Sequence, residues 1–355
     1  GWAEVSSLAC VKVVNFLGAA CEALKATGPT LTPEAHASLV AVTMSTYTQC
    51  TRVATLESDI ALACPDEELT YGLSLTLGEL IHGAGKRPLN AMYAACIDAF
   101  KAIDAASRRA HVSSSTVNDT HRLDITLSAP LWCALTLVKS FNVGKASRAS
   151  AQENAERLMD ACTGVMHAAV TVKHANAVVC NILEIATEIA RLGVRCEVST
   201  RCVSRMCQLA SVAHRADAVA DDDEAQVLIF AQAWELLGAL LKARKEHLKR
   251  AVSSVTVVCS DLLNALRRAK AAGASDDVMS KCASKLSFVY EAAESSGLDR
   301  YCTHLLADVI TAITGGGVGT HAEKALKPGI FALLDSCSDR ELQQLHAALG
   351  SGAGG

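Results

Sequence analysis

The sequence predicts an all-α protein, built as an irregular α-solenoid of stacked antiparallel helices of the armadillo or HEAT type. Hydrophobic residue types make up 50% of the 355 residues but aromatic residues only 4%, so the apolar content is mostly aliphatic. Ala and Leu, which are common here, favour helices over sheets. Apolar residues recur at steps of three and four, most clearly at Val227, Phe230 and Trp234. No strand-like segment interrupts the series, and a compact helical bundle is the alternative architecture.

Short breaks divide the chain into helical segments. The predicted helices cover residues 2–26, 33–63, 66–82, 88–112, 123–141, 150–173, 175–192, 197–216, 222–242, 246–271, 275–295 and 298–314, and two short helices follow them. Predicted start signals are Thr32 before Pro33 and the capping box of Ser150 with Glu153. Predicted stop signals are the glycines at Gly28, Gly193 and Gly273.

The two closing helices carry the clearest local signals. Pro328 suits a first helical position, where its missing N–H group costs nothing. Behind it we expect an apolar stripe of Ile330, Phe331, Leu333 and Leu334. Ser338 and Glu341 form a predicted capping box, after which Leu342, Leu345 and Leu349 should point inward.

Composition also limits the classes of function. A net charge of −4 predicts that any contact with nucleic acid depends on a local basic patch. The 15 cysteines are scattered, which indicates small reduced core residues rather than a disulfide framework. No run of apolar residues is long enough to predict a transmembrane helix. The start at Gly1, without Met or a signal-peptide pattern, predicts a fragment of a longer chain.

Candidate catalytic or metal-binding groups are weak. Residues 83–86 lack the spacing and the preceding strand of a phosphate-binding loop, and residues 315–320 indicate a flexible connection. The group of Cys196, Cys202, Cys207 and His214 does not have zinc-ligand spacing, and the acidic run 221–224 is typical of a first helical turn. Cys302 and His304 should diverge on a helix, so they do not predict a catalytic pair. The sequence therefore predicts no enzyme, no metal site and no cofactor.

One basic segment remains a candidate site. Its cations lie at the junction of two strongly apolar helices, which should hold them on an edge of the structure. We expect Lys242, Arg244, Lys245, Lys249 and Arg250 to contact RNA phosphates, with His247 beside them. The alternative is an ordinary solvated helix turn.

From about Ala233 onward, three local patterns resemble a known family. They are LLKARKEHLKR at 240–250, RYCTHLLAD at 300–308, and LKPGIFALLDSC at 326–337, which continues into ELQQLH at 341–346. Together they resemble the C-terminal domain of a nucleolar, pre-ribosome-associated family, the unhealthy ribosome biogenesis protein two family. The glycine-rich segment 315–319 departs from the family pattern, and so does the end at 350–355, where the family would continue into a helical tail.

The resemblance implies a non-enzymatic scaffold in early assembly of the large ribosomal subunit and in processing of its precursor rRNA. It implies a nucleolar location, proteins of the pre-ribosomal particle as partners, possible contact with precursor rRNA, and no membrane or small-molecule substrate. The domain expectation is a helical repeat region at 1–220, the family domain at 221–350 and a disordered glycine-rich tail at 351–355. A cytosolic armadillo-like adaptor that binds proteins without RNA is the alternative, and a helical appendage of an enzyme is a third reading.

Overall fold

The computed structural model describes residues 86–112, 130–139, 148–170, 176–193, 196–214, 223–293 and 301–352, with short pieces and single positions between 18 and 81. These parts are helical and contain no β-strand, which confirms the all-α prediction. Among them, no helix is both long and apolar enough to cross a membrane. The chain divides into two compact units, residues 1–169 with 195–197, and residues 170–194 with 198–355.

In the first unit, two long helices pack directly against each other. They are α1, Lys86–Val112, and α2, Arg148–Ala169. Residues 130–139, between them in the chain, are also helical, and their side chains at Leu131, Cys133 and Leu137 are buried. The predicted helices at 2–26, 33–63 and 66–82 lie largely outside the described residues.

The second unit contains a regular succession of helices. They are α3 (Asn176–Arg191), α4 (Thr200–Ala213), α5 (Asp223–Ala243), α6 (Lys245–Leu248), α7 (Val252–Ala271), α8 (Asp276–Glu291), α9 (Cys302–Thr314), α10 (Thr320–Asp335) and α11 (Asp339–Gly352). The predicted helix 246–271 is thus two helices, α6 and α7, separated by a turn. Gly193 and Gly273 end α3 and α7 with positive φ angles of 53° and 87°, as expected for helix stops.

These helices form two layers. Helices α3, α5, α8 and α10 pack side by side in that order, and α4, α7, α9 and α11 do the same in the second layer. Successive helices such as α3 and α4, or α9 and α10, connect the layers. This is the contact pattern of stacked helix pairs, which confirms the solenoid prediction for this unit.

The interface between the layers is apolar. Leu236 and Leu240 of α5, and Val255 and Leu262 of α7, have no exposed surface. The described cysteines are free, and all are buried except the half-buried Cys337, which confirms their expected role as small core residues. Burial raises the pKa of the Cys207 and Cys259 thiols to about 12, so these thiols are un-ionised at neutral pH.

The prediction for Pro328 is wrong. Helix α10 begins at Thr320, so Pro328 lies in its interior rather than at its first position. The next residue, Gly329, packs against α8, and its N–H group donates a hydrogen bond of 2.8 Å to the Ser287 hydroxyl. A proline removes an intrahelical hydrogen bond, but the packing of α10 on α8 keeps the helix continuous across it.

Two other local predictions need correction. Ser150 lies inside α2, which begins at Arg148, so it does not cap that helix. Phe331 is 60% exposed rather than part of the inward stripe, whereas Leu333 is fully buried.

The capping box at Ser338 is confirmed. Its N–H group and hydroxyl both donate to the Glu341 carboxylate, at 2.8 and 2.6 Å, and the Glu341 N–H group donates back to the hydroxyl. These bonds lower the pKa of Glu341. In the helix that follows, Leu345 is buried, and Leu342 and Leu349 are half-buried. Helix α11 ends at Gly352, so it includes the first two residues of the segment predicted to be a disordered tail.

Candidate nucleic-acid interface

The basic segment forms an exposed edge between α5 and α7. Lys242 lies in the last turn of α5, Lys245 begins α6, and Lys249 and Arg250 occupy the turn before α7. All four side chains are exposed. We call these four residues the basic edge.

Arg244 is not part of this surface, contrary to the sequence expectation. It is only 3% exposed, and its guanidinium group donates a hydrogen bond of 3.0 Å to the backbone carbonyl of Ile189 in α3. A buried guanidinium group cannot reach a phosphate at the surface. Arg244 therefore acts as a structural link between α5 and α3.

The same residue positions α6. The Arg244 carbonyl accepts hydrogen bonds from the N–H groups of His247 and Leu248, at 2.9 and 3.0 Å. Leu248 is fully buried and Ala251 is 2% exposed, so the apolar side of this short segment faces the core. The lysines are consequently presented by a fixed turn rather than by a loose loop.

The charge of the basic edge is only partly neutralised. The Lys249 ammonium group lies 2.8 Å from the Glu246 carboxylate, and this hydrogen bond lowers the pKa of Glu246. Both side chains are exposed, so the pair is screened by water and contributes little to stability. Four exposed cations and one exposed carboxylate leave a positive surface on a chain of net charge −4.

Another cation near the α3 and α5 helices has a different role. Arg191, at the end of α3, donates to Glu188 on its own helix and to Glu235 on α5. Its charge is balanced by two carboxylates, so it joins the two helices instead of extending the basic edge.

The cysteine and histidine group is divided between units. Cys196 belongs to the first unit, whereas Cys202 and Cys207 lie on α4 and His214 ends that helix in the second unit. In the described parts of the chain, no three or more His, Cys, Asp and Glu side chains are arranged to hold a metal ion. All four side chains are buried.

His214 is held neutral by its surroundings. Its pKa is lowered to about 4, first by burial and then by the Arg268 charge, while Asp261 opposes both effects. Its ring contacts the edge of Phe230 at 5.5 Å between centroids, while its backbone carbonyl accepts a hydrogen bond from Arg268. The residue is a packed helix end.

The other sequence candidates lie apart or outside the described residues. Cys302 is fully buried, whereas His304 is exposed and contacts the ring of Tyr301, so the two diverge as expected. The glycine-rich segment connects α9 to α10, and Val318 within it is buried. Residues 83–85 and 221–222 lie outside the described residues; α1 begins at Lys86 and α5 at Asp223.

Sequence reasoning missed one surface feature near the basic edge. Trp234 has the spacing of a core residue but is only half-buried, and its ring lies 6.5 Å from that of Phe288, which is 59% exposed. The exposure of these rings depends on how α5 and α8 pack within their layer, which the local apolar spacing does not show. The one feature of the sequence that indicates an exposed Phe288 is the charged residues near it, Lys281, Lys285 and Glu291.

Comparison with known proteins identifies the helical unit that carries these features. The Urb2/Npa2 family matches residues 179–354, a range that contains the basic edge and most of the two-layer unit. Residues 179–354 are therefore similar to the Urb2/Npa2 family. The match begins upstream of Ala233, so the Urb2/Npa2 similarity includes more helices than the three sequence patterns indicated. The Urb2/Npa2 family is associated with ribosome biogenesis.

Other comparisons add little to the family match. No curated protein matches the chain. A solved circular tandem repeat protein with novel repeat topology and enhanced subunit contact surfaces is 14% identical, with a TM-score of 0.28 over 99% of this chain and 96% of that chain. A solved structure from the computational design of self-assembling cyclic protein homooligomers is 13% identical, with a TM-score of 0.19 over 97% of this chain and 99% of that one. Such low scores carry no structural argument.

Proposed function

We propose that this chain is a non-enzymatic scaffold in early biogenesis of the large ribosomal subunit and in processing of its precursor rRNA. The observation that carries the proposal is the Urb2/Npa2 match over residues 179–354. It indicates a role in ribosome biogenesis and hence a nuclear location, which we propose to be the nucleolus. Its partners are proteins of the pre-ribosomal particle and precursor rRNA.

The proposed scaffold role is supported by the form of the second unit. Stacked helix pairs present long continuous faces, and solenoids of this kind bind macromolecules along such faces. We propose a helical repeat region at 1–220 and a C-terminal helical domain at 221–350, as the sequence predicted, with the family similarity beginning earlier, at residue 179. The functional surface is then a helix face and its edge.

The proposed RNA contact is at the basic edge. Lys242, Lys245, Lys249 and Arg250 are exposed and held by a segment anchored through Leu248. Cations fixed on a surface attract phosphates and release counterions from the nucleic acid when they bind. The contact would position RNA without reading its sequence.

The experiment replaces the four basic-edge residues with Glu in the full-length protein. We expect the Glu variant to be lost from the sucrose-gradient fractions that contain large-subunit precursors. A matched control replaces Lys324 and Lys327 with Glu, since these lysines are exposed on α10 and outside the basic edge. The control should remain with the precursors.

Two outcomes count against parts of the proposal. If the unmodified protein neither enters the nucleolus nor sediments with large-subunit precursors, the ribosomal role is wrong and a cytosolic adaptor is favoured. If the unmodified protein sediments with precursors and the Glu variant does so equally well, the basic edge is not the point of contact.

A further inference from the structure

We propose that Trp234 and Phe288 form a stacking platform for bases of single-stranded RNA, beside the basic edge. The platform lies on the outer side of α5 and α8, two neighbouring helices of the same layer. The inference rests on the proposed contact between the basic edge and RNA, and it names the form of RNA that binds there.

The two rings are close together; Phe288 is exposed and Trp234 is half-buried. Their centroids are 6.5 Å apart with an angle of 50° between the planes, and Phe288 is 59% exposed. The ammonium group of Lys285 lies 4.2 Å from the centre of the Trp234 ring. The exposed Phe288 ring offers a base a stacking surface, and the Lys285 ammonium group over the neighbouring Trp234 ring offers a phosphate contact.

The platform is continuous with the basic edge along α5. Trp234, Gly238 and Lys242 are separated by four residues each and therefore follow one stripe of the helix. The distance from Trp234 to Lys242 along the axis is about 12 Å at the usual rise per residue. Gly238, between the ring and the lysine, is half-buried, and a Cβ atom placed on it would meet no atom within 4 Å.

Helix α8 provides a matching row. Lys281, Lys285 and Phe288 lie on one face because they are spaced by four and three residues. The Lys281 ammonium group is 2.6 Å from the Asp277 carboxylate, and both groups are exposed. The Lys281 charge is thus partly neutralised, and Lys285 supplies the main positive charge of this row.

The chemistry of this face favours RNA over a protein partner. Protein–protein interfaces are enriched in aromatic residues and Arg but depleted in Lys. Here the cation over the Trp234 ring is Lys285, and the other cations on this stripe of α5 and this row of α8 are Lys242 and Lys281. Lysines that track a backbone and aromatic rings that stack bases are the combination by which single-stranded nucleic acid is bound without sequence preference.

The test measures binding of a fluorescein-labelled oligouridylate to the full-length protein by fluorescence anisotropy at several salt concentrations. Phe288→Leu keeps an apolar side chain but removes the flat ring, so we expect affinity to fall about five- to 150-fold with little change in the salt dependence. Phe331→Leu is the matched control, because Phe331 is 60% exposed on α10 and has no described aromatic partner. It should leave affinity unchanged.

A second pair of variants separates the platform from the basic edge. Lys242→Ala should weaken binding and reduce the slope of log affinity against log salt by about 0.7. If Lys242→Ala weakens binding while Phe288→Leu and Phe331→Leu behave alike, the platform is wrong and the basic edge stands.

The remaining outcomes are also decisive. If the unmodified protein does not bind the oligouridylate, both the RNA contact and the platform are overturned, whereas its role in the particle is judged separately by sedimentation. If Phe288→Leu retains full RNA affinity but leaves the pre-ribosomal fractions, this face binds a protein and the RNA inference is overturned.

Discussion

Arg244 and Lys245 are neighbours in the chain but have opposite environments. The Arg244 side chain is buried under α3 and bonded to the Ile189 carbonyl, whereas the Lys245 side chain is exposed. Consecutive helical residues point in directions about 100° apart, so a run of cations at a helix junction is divided between core and solvent. Which cation is buried depends on where a hydrogen-bond acceptor lies in the helix packed alongside, here the Ile189 carbonyl of α3.

Replacing Arg244 should therefore affect stability and not charge recognition. We expect Arg244→Met to lower the free energy of unfolding by about 1–3 kcal/mol, because it leaves the buried Ile189 carbonyl without this donor. Lys245→Ala should leave stability unchanged and weaken RNA binding. Urea unfolding and oligonucleotide titration of both variants test the two expectations. Equal stability of the two variants would contradict the structural role of Arg244.

Two helical glycines are predicted to respond in opposite ways to Ala. A Cβ atom on Gly329 would lie 2.7 Å from the Ser287 carbonyl oxygen and 2.9 Å from its Cα atom, both in the backbone of α8. Gly329→Ala should thus destabilise the protein by about 1–3 kcal/mol through overpacking. Gly238→Ala, which meets open space, should stabilise it by about 0.5–1 kcal/mol. Thermal unfolding of both variants measures the difference. If Gly329→Ala is as stable as the unmodified protein, α8 and α10 do not approach each other as closely as described.

His214 makes stability depend on pH. Its pKa is about 4 in the folded protein and 6.5 for an ordinary histidine, so the unfolded chain binds the proton more readily. The free energy of unfolding should fall as the pH drops from 6.5 toward 4, by about 2 kcal/mol at about pH 4.5. The cause is the burial of an imidazole whose Nε2 atom has no hydrogen-bond partner.

The matched variant for this prediction is His214→Leu, which removes the titrating group and leaves the backbone carbonyl that accepts from Arg268. Urea unfolding of both proteins at neutral and acid pH gives the comparison. The unmodified protein should lose about 2 kcal/mol more than the variant between the two conditions. An equal loss in both would show that His214 is not buried as a neutral group.

At the scale of elements, the last helix depends on its start signal. Helix α11 packs on α9, and Leu345 is its buried contact. With few buried side chains, such a terminal helix relies on its cap more than an internal helix does. The reciprocal bonds of Ser338 and Glu341 hold its first turn.

Ser338→Ala should loosen α11 locally. We expect a loss of about 1 kcal/mol, visible as faster amide hydrogen exchange in residues 339–349. Ser336→Ala is the control, since the Ser336 hydroxyl donates to the Ala332 carbonyl at the end of α10, at 2.8 Å, and is not part of the Ser338–Glu341 capping box. Identical exchange in the two variants would contradict the role of the capping box.

The sequence predicted the helices better than their environments. Periodicity located the segments of the second unit to within a few residues, because apolar spacing and glycine stops are local features. Pro328 and Phe331 were misplaced, since the packing of Gly329 on α8 and the layer position of α10 depend on distant residues. Arg244 was assigned to the surface for the same reason: nothing in its own segment indicates the Ile189 carbonyl.

At the scale of the whole molecule, the described helices of the second unit form extended faces on which a partner can bind. Its two layers place the basic edge at the end of α5 and the Trp234–Phe288 pair on the outer side of α5 and α8. The Urb2/Npa2 match covers most of this unit, and the proposed scaffold role needs no more than such surfaces. The account therefore predicts RNA at one defined region of the family domain.

Ultraviolet crosslinking in purified pre-ribosomal particles, followed by mass spectrometry of the crosslinked peptides, tests this claim most directly. The account predicts nucleotide adducts on the peptides that contain residues 242–250 and Phe288. Particles that contain the protein but show RNA adducts only elsewhere in the chain would contradict it.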